Sequence, residues 1–188
     1  MFPIHNLSGR VIAFGGRTLR NDKKVAKYIN SPETDVYHKS KIVYGIYQAK
    51  SDIIKQDNCF MVEGYTDVIS LYQAGIHNVV ASSGTSLTVD QIRLIKRYTN
   101  NLTIMYDGDD AGIKASFRGI DLVLEEGMNV RTVLFPEGDD PDSYSKKLDQ
   151  VEFNEFIENN QKDFIQFKAQ LLAEEAKGDP IRTASLIK

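Results

Sequence analysis

From residue 59 onward the chain alternates short apolar runs with longer segments in which apolar residues recur every three or four positions. The apolar runs predict strands, because near-continuous hydrophobic stretches are typical of strands buried in a parallel sheet. The segments between them predict amphipathic helices. Four strand and helix units follow one another, with strands expected at residues 59–62, 78–81, 102–106 and 130–135.

Two of the helices have recognisable ends. We expect a helix from about Thr66 to Ala74, which Gly75 can terminate in a left-handed conformation. Thr88 and Gln91 have the spacing of a capping box, which predicts a helix start. Because each helix returns the chain to begin the next strand in the same direction, the sequence predicts an α/β fold with a mostly parallel sheet flanked by helices.

The chain follows other patterns on either side of this repeat. Glycines surround a β-branched and aromatic run at residues 9–17, which predicts a strand with tight turns in a small mixed α/β segment. After the fourth unit the apolar residues keep helical spacing only, so we expect a helical hairpin. The sequence therefore divides into three regions, which are residues 1–55, 56–148 and 149–188.

The composition is that of an ordinary folded protein, with 188 residues, 41% hydrophobic and 26% charged. It excludes collagenous, low-complexity and disordered chains. The longest apolar runs are far shorter than the roughly 20 residues that cross a bilayer. The first residues also lack the basic and apolar regions of a secretory signal, so we expect a cytoplasmic protein with no membrane partner. One cysteine and three scattered histidines exclude the usual zinc spacings, which leaves only oxygen ligands for a metal.

Charge is divided unevenly along the sequence. Residues 1–58 carry ten Lys or Arg and five Asp or Glu, a net charge of +5, whereas residues 59–188 carry thirteen and twenty-one, a net charge of −8. A basic segment can contact the phosphates of a nucleic acid. The same division is equally compatible with two solvated faces of opposite charge.

Acidic residues follow three of the four predicted strands, at the sheet edge where α/β proteins bind ligands. They are Glu63 after the first strand with Asp67 four residues later, Asp107 and Asp109 after the third, and Asp140 and Asp142 after the fourth. So many carboxylates cannot all stay ionised close together unless a cation compensates them. An all-oxygen site of this kind suits Mg²⁺ or Mn²⁺.

Each acid taken alone is more typical of a turn or a helix cap, and only the combination favours a metal. Three further acids are expected to be solvated or to cap helices: Asp110, Glu137 and Asp139. An EF-hand loop starting at Asp107 is excluded, because Arg118 stands at the twelfth position, where Glu is required. A haloacid-dehalogenase-like phosphatase remains an alternative, although Ala111 occupies a position where Thr or Val is expected.

Several strings of residues carry a resemblance to a known family. The strings are Val62–Val68, Ala81–Thr88, Tyr106–Gly112 and Asp140–Asp142 in the strand and helix repeat, with Met1–Ile4, Phe14–Arg17, Lys27–Thr34 and His38–Lys39 upstream. The first four resemble the TOPRIM core of bacterial DnaG-type primases. The acids alone would also fit topoisomerases and nucleases, but the upstream strings resemble the basic subdomain that precedes this core in primases.

The resemblance implies roles for particular residues. The catalytic residues would be Glu63, Asp107 and Asp109. The ligands of two or more Mg²⁺ or Mn²⁺ ions would be Glu63, Asp67, Asp107, Asp109, Asp140 and Asp142. The residues that contact the nucleic acid would be Arg17, Lys27, Asn30 and Lys39. Thr66 and Ser40 depart from the residues common in the family.

The resemblance also implies an activity. The chain would be a fragment of the catalytic domain of a DNA primase, a nucleotidyltransferase that makes short RNA primers on single-stranded DNA from ribonucleoside triphosphates during replication. The family's zinc-binding domain and the domain that contacts the replicative helicase have no counterpart in this sequence. A TOPRIM-containing nuclease or topoisomerase and a non-catalytic nucleic-acid-binding module remain alternatives.

Overall fold

The computed structural model describes residues 1–19, 26–83, 86–106 and 119–168. The first part forms a three-stranded antiparallel sheet in the order β1-β2-β3, with β1 at Phe2–His5, β2 at Val11–Arg17 and β3 at Tyr28–Asn30. The Asn6 side chain accepts hydrogen bonds from the backbone N–H groups of Ser8 and Arg10, both at 3.0 Å, and closes the turn between β1 and β2. The strand and tight turn expected in this region are therefore confirmed.

A short 3-10 turn at Lys39–Lys41 and helix α1 at Ile46–Gln56 link this sheet to the rest of the chain. Helix α1 buries Ile46, Ala49 and Ile53. This helix is not among the predicted elements, although these residues have the three- and four-residue spacing of a buried helical face.

A second sheet contains five strands in the order β5-β4-β6-β7-β8. The strands are β4 at Cys59–Val62, β5 at Val79–Ala81, β6 at Asn101–Tyr106, β7 at Asn129–Leu134 and β8 at Gln161–Asp163. The first four are parallel to one another and β8 is antiparallel to β7. The structure confirms the mostly parallel sheet that the apolar runs predict.

Helices connect the strands as the sequence predicts. They are α2 at Tyr65–Gln73, α3 at Val89–Lys96, α4 described over residues 119–125, α5 at Pro141–Ser145 and α6 at Gln150–Asn160. Thr88 and Gln91 form the expected capping box, in which each side chain accepts a hydrogen bond from the other residue's backbone N–H. Gly75 follows α2 at a φ of +91°, the left-handed conformation expected of it.

Helix α6 and the helical residues 164–168 lie where the sequence predicts a helical hairpin, but strand β8, which the sequence does not predict, lies between them. The three residues of β8, Gln161, Lys162 and Asp163, pair with Val133, Thr132 and Arg131 of β7. They are polar and have no apolar alternation, so their place in the sheet depends on backbone hydrogen bonds to an open edge. Hydrophobic periodicity does not report such a strand.

The five-stranded sheet has an apolar core on each face. On one face Met61 and Ile104 of the sheet pack with residues of α1, α3 and α4, which include Ile53, Ile92 and Val123. On the other face the sheet packs against α2 and α6, whose buried residues include Leu71, Phe153 and Ile157. A third, smaller cluster joins the antiparallel sheet to α2 and contains Ile4, Ala13, Tyr37 and Tyr65. Within the described ranges, no helix is long and apolar enough to cross a membrane.

Candidate metal and nucleic-acid site

The end of β4 and the start of α2 place Glu63 and Asp67. Glu63 follows the last residue of β4 and its side chain is exposed, while its backbone carbonyl accepts a hydrogen bond from the N–H of Ser83 at 3.1 Å. Asp67 is only 9% exposed, and its Oδ2 accepts a hydrogen bond from the N–H of Gly64 at 2.8 Å. The Asp67 carboxylate therefore caps α2 and faces back towards the end of β4.

Asp140 begins helix α5. Its Oδ1 accepts a hydrogen bond from the N–H of Ser143 at 2.6 Å, which makes Asp140 the N-cap of the helix. Its neighbour Asp139 accepts from the Ser143 hydroxyl at 2.8 Å and forms an ion pair with Lys147 at 2.7 Å. Both acids thus accept hydrogen bonds from Ser143 at the start of α5, and the oxygen of Asp140 that caps the helix is Oδ1.

Asp142 connects α5 to α2. Its Oδ1 accepts a hydrogen bond from the hydroxyl of Ser70, which lies three residues after Asp67 on α2, and forms an ion pair with Lys146 at 2.6 Å. Partial burial alone would raise the pKa of Asp142, but the hydrogen bonds from Lys146 and Ser70, together with the positive charges of Lys146 and Arg17, hold this pKa below its ordinary value. Asp142 is therefore ionised at neutral pH beside the helix that carries Asp67.

The basic residues of the antiparallel sheet lie next to these acids. Arg17, at the end of β2, is close enough to Asp142 for its charge to lower the pKa of that carboxyl. The guanidinium of Arg17 also lies 5.6 Å from the centre of the Tyr28 ring, a cation-π contact. Lys27 is exposed beside Tyr28, and its carbonyl accepts a hydrogen bond from the N–H of Thr18 at 3.0 Å.

Asn30 and Lys39 occupy two different parts of the basic region. Asn30 ends β3, pairs with Gly15 of β2, and its side-chain oxygen accepts a hydrogen bond from the Tyr65 hydroxyl. Lys39 begins the 3-10 turn, and its backbone N–H donates to Glu33 at 2.9 Å. The two β strands therefore bring Arg17, Lys27 and Asn30 together, whereas Lys39 is held on a separate turn.

Asp107 and Asp109 lie outside the described residues, as does Asp110. The strand that precedes them in the chain, β6, ends at Tyr106 and lies between β4 and β7. Among the residues that the structure describes, no cluster of three or more His, Cys, Asp or Glu side chains is arranged to hold a metal. The described acids supply only oxygen atoms, the ligands that hard divalent cations prefer.

Three residues that are not among the predicted site residues contact them: Tyr65, Ser70 and Lys146. Lys146 could have been found from its spacing, because an acid and a lysine four residues apart face each other on a helix. Tyr65 and Ser70 contact Asn30 and Asp142, which are distant from them in sequence, so only the fold brings these pairs together.

A mostly parallel sheet with acids after its strands, preceded by a basic antiparallel sheet, defines this chain as a TOPRIM-like protein. A Toprim-like family model matches residues 60–145, and the family described as DNA primase catalytic core, N-terminal domain, matches residues 1–50. The two matched ranges make up most of the chain, so the chain is similar to the catalytic core of the DNA primase family over most of its length.

Individual relatives agree with this similarity. The chain is 44% identical over 168 residues to a DNA primase of Halalkalibacterium halodurans, a match that covers 89% of this chain and 28% of that protein. A DNA primase domain from Pseudomonas aeruginosa is 40% identical, with a TM-score of 0.89 over 99% of this chain and 59% of that one. The RNA polymerase domain of Mycobacterium tuberculosis primase, solved with a double-stranded DNA oligomer that has a 6-nucleotide overhang, is 30% identical, with a TM-score of 0.81 over 98% of this chain and 61% of that one. The chain spans less than a third of the length of the curated relatives it matches.

Proposed function

We propose that this chain contributes the metal-binding and template-binding surfaces of a primase, which synthesises short RNA primers on single-stranded DNA during replication. The observation that carries the proposal is the proximity of Arg17 to Asp142, which sets a basic strand pair beside an acidic sheet edge. Nucleotide addition needs both surfaces. The basic strands would bind the phosphates of the template, and the acidic edge would hold the ions that neutralise the phosphates of the incoming ribonucleoside triphosphate.

The reaction joins a 3′-hydroxyl to the α-phosphate of a ribonucleoside triphosphate and releases pyrophosphate. The chemistry of the oxygen donors fits two or more Mg²⁺ or Mn²⁺ ions, and the residues that would hold them are Glu63, Asp67, Asp107, Asp109, Asp140 and Asp142. Such ions, when bound, neutralise charge on the phosphates and lower the pKa of the attacking hydroxyl.

The protein's own residues would orient the carboxylates that hold the ions. Ser70 and Lys146 fix the orientation of the Asp142 carboxylate, and the hydrogen bond to Gly64 fixes that of Asp67. Glu63, exposed at the end of β4, would either serve as a ligand or take the proton of the attacking hydroxyl. Asp107 and Asp109 would complete the catalytic set.

Arg17, Lys27, Asn30 and Lys39 would bind the template. Lys and Arg hold nucleic acids mainly through phosphates, and an amide can donate hydrogen bonds to the same oxygens. The DNA complex of the Mycobacterium tuberculosis primase domain supports a nucleic-acid partner for this chain. We place the template-binding region at residues 1–55 and the TOPRIM catalytic core at 56–148, and we treat residues 149–188 as a third region.

The replicative helicase would act through a different domain of the whole protein, as implied for the family. Because replication takes place in the bacterial cytoplasm, we propose that the protein works there.

The test is primer synthesis. The segment of the Halalkalibacterium halodurans primase that matches this chain is replaced by the chain, and the chimera is given single-stranded template, labelled ribonucleotides and Mn²⁺. We expect short RNA products that disappear on Glu63→Gln, which removes one charge from an exposed side chain and leaves the melting temperature within about 2 °C of that of the unchanged chimera. Cleavage of the template without RNA products would favour a nuclease or topoisomerase. Binding without either product would favour a non-catalytic module.

A further inference from the structure

A hydrogen bond joins the start of the catalytic helix to the template-binding strands. The Tyr65 hydroxyl donates to Oδ1 of Asn30 at an oxygen to oxygen distance of 2.5 Å. Tyr65 is the first residue of α2, two residues after Glu63, and Asn30 is the last residue of β3. This bond therefore spans the boundary between the acidic and the basic parts of the site.

The Tyr65 ring is held in place from several sides. It stacks on Phe2 with ring centres 5.0 Å apart and contacts the Tyr44 ring edge to face at 4.7 Å. Gly15 lies so close that a Cβ at that position would stand 2.6 Å from ring carbons of Tyr65. Only 2% of the residue is exposed, so its hydroxyl has a fixed position.

This donor determines which way the Asn30 amide faces. Because Oδ1 accepts the hydrogen bond, Nδ2 and its two N–H groups point away from Tyr65. No hydrogen bond joins Nδ2 to another residue of the described chain, and Asn30 is only partly buried. Two N–H donors that have no partner among the described residues therefore stand on β3, which pairs with the strand that carries Arg17.

We propose that Tyr65 is a positioning residue that fixes the Asn30 amide so that its N–H groups donate to a phosphate oxygen of single-stranded DNA. The inference rests on the proposed function, since it assumes that the basic strands bind the template. It adds a direct link between the helix that follows Glu63 and the template contact. If the amide could turn freely, its oxygen would face the phosphate part of the time, and two hydrogen-bond acceptors cannot bond to each other.

The first test compares Tyr65→Phe with Tyr44→Phe by fluorescence anisotropy of a labelled single-stranded oligonucleotide. Both variants remove one hydroxyl from the same aromatic cluster, but only the Tyr65 hydroxyl contacts Asn30. We expect Tyr65→Phe to weaken binding about three- to tenfold, the range for one hydrogen bond, and Tyr44→Phe to leave it unchanged. Melting temperatures of both variants control for loss of fold.

The second test distinguishes an effect of Tyr65 on the orientation of the Asn30 amide from an effect on packing in general. If Tyr65 acts through Asn30, then Tyr65→Phe has no further effect on binding in an Asn30→Ala background. Asn30→Asp keeps an acceptor for the Tyr65 hydroxyl but replaces the outward N–H groups with a carboxylate oxygen. We therefore expect Asn30→Asp to bind DNA more weakly than Asn30→Ala, although it melts at a higher temperature.

The outcomes are distinguishable. Wild-type affinity in Tyr65→Phe, or an equal loss with and without Asn30, would overturn the role of Tyr65 and leave the proposed function standing. An unchanged chain that does not bind single-stranded DNA at all would overturn the template contact and the role of Tyr65 together.

Discussion

Lys146 forms an ion pair with Asp142 four residues earlier, with Nζ at 2.6 Å from Oδ1. The same oxygen accepts the hydroxyl hydrogen bond of Ser70, so two donors from two helices meet at one carboxylate atom. Oδ2 accepts no hydrogen bond from another residue in the described part of the chain. A cation bound at this edge must therefore use Oδ2 or displace Lys146.

Removing Lys146 is expected to strengthen metal binding. The Lys146 side chain is 62% exposed, so its pairing with Asp142 is weak and its loss frees a carboxylate at small cost. We expect Lys146→Met to raise the affinity for Mn²⁺ about two- to fivefold in calorimetry, the range for one exposed ion pair. Lys147→Met is the matched control, because Lys147 pairs at 2.7 Å with Asp139, which is not among the predicted ligands. An equal effect of both variants would contradict the assignment of Asp142 as a ligand.

The basic residues are expected to make the affinity for single-stranded DNA depend measurably on salt concentration. Arg17, Lys27 and Lys39 would each neutralise one phosphate, so log affinity for single-stranded DNA should fall against log salt with a slope of about −0.7 × 3, roughly −2. Changing all three residues to Ala should remove most of that slope.

The control for this experiment removes the same charge elsewhere. Lys55, Arg97 and Lys162 are exposed on α1, after α3 and on β8, and their triple Ala variant has the same net charge. If both triple variants lower the slope equally, the effect is one of net charge and the template contacts lie elsewhere.

Gly15 is expected to tolerate no side chain. A Cβ there would stand 2.6 Å from the buried Tyr65 ring, which is packed too tightly to retreat. We expect Gly15→Ala to lower the free energy of unfolding by about 1–3 kcal/mol in urea titrations. The neighbouring Gly16→Ala is the control, because its Cβ would meet side-chain atoms of Ile29 and Met1 at 3.2 Å, and both side chains are largely exposed and can move. Equal losses would mean that the strand itself, and not the Tyr65 contact, requires glycine.

The elements that could be predicted from the sequence are those marked by their own residues, through an apolar run or a capping box. Strand β4 is buried along its whole length, so a run of apolar residues marks it, and Thr88 and Gln91 mark the start of α3 because both sides of a capping box are local. Strand β8 could not be predicted, since Gln161, Lys162 and Asp163 join the sheet through their backbone only.

The candidate site was predictable to a similar extent. The acids and basic residues follow from motifs, but their partners depend on the fold. Ser70 and Asp142 are 72 residues apart and meet because α2 packs on α5. The role of Asp140 could not be predicted from its neighbours in sequence, because an acid directly after a strand can be either a metal ligand or an N-cap. In the structure its Oδ1 caps α5.

Cys59 makes the stability of the fold depend on pH, and this contribution can be measured separately from those of the other titrating groups. It is the only cysteine in the chain, it is fully buried at the start of β4, and burial raises its pKa well above the ordinary value of 9.0. The unfolded chain therefore loses this thiol proton near pH 9 while the folded chain retains it, so Cys59 lowers the stability of the fold as the pH rises above that value. Relative to Cys59→Ala, the free energy of unfolding of the unchanged protein should fall by up to about 1.4 kcal/mol per pH unit between pH 9 and 10. Every other titrating group is common to both proteins, so parallel stability curves would show that the thiol titrates alike in the folded and unfolded chains.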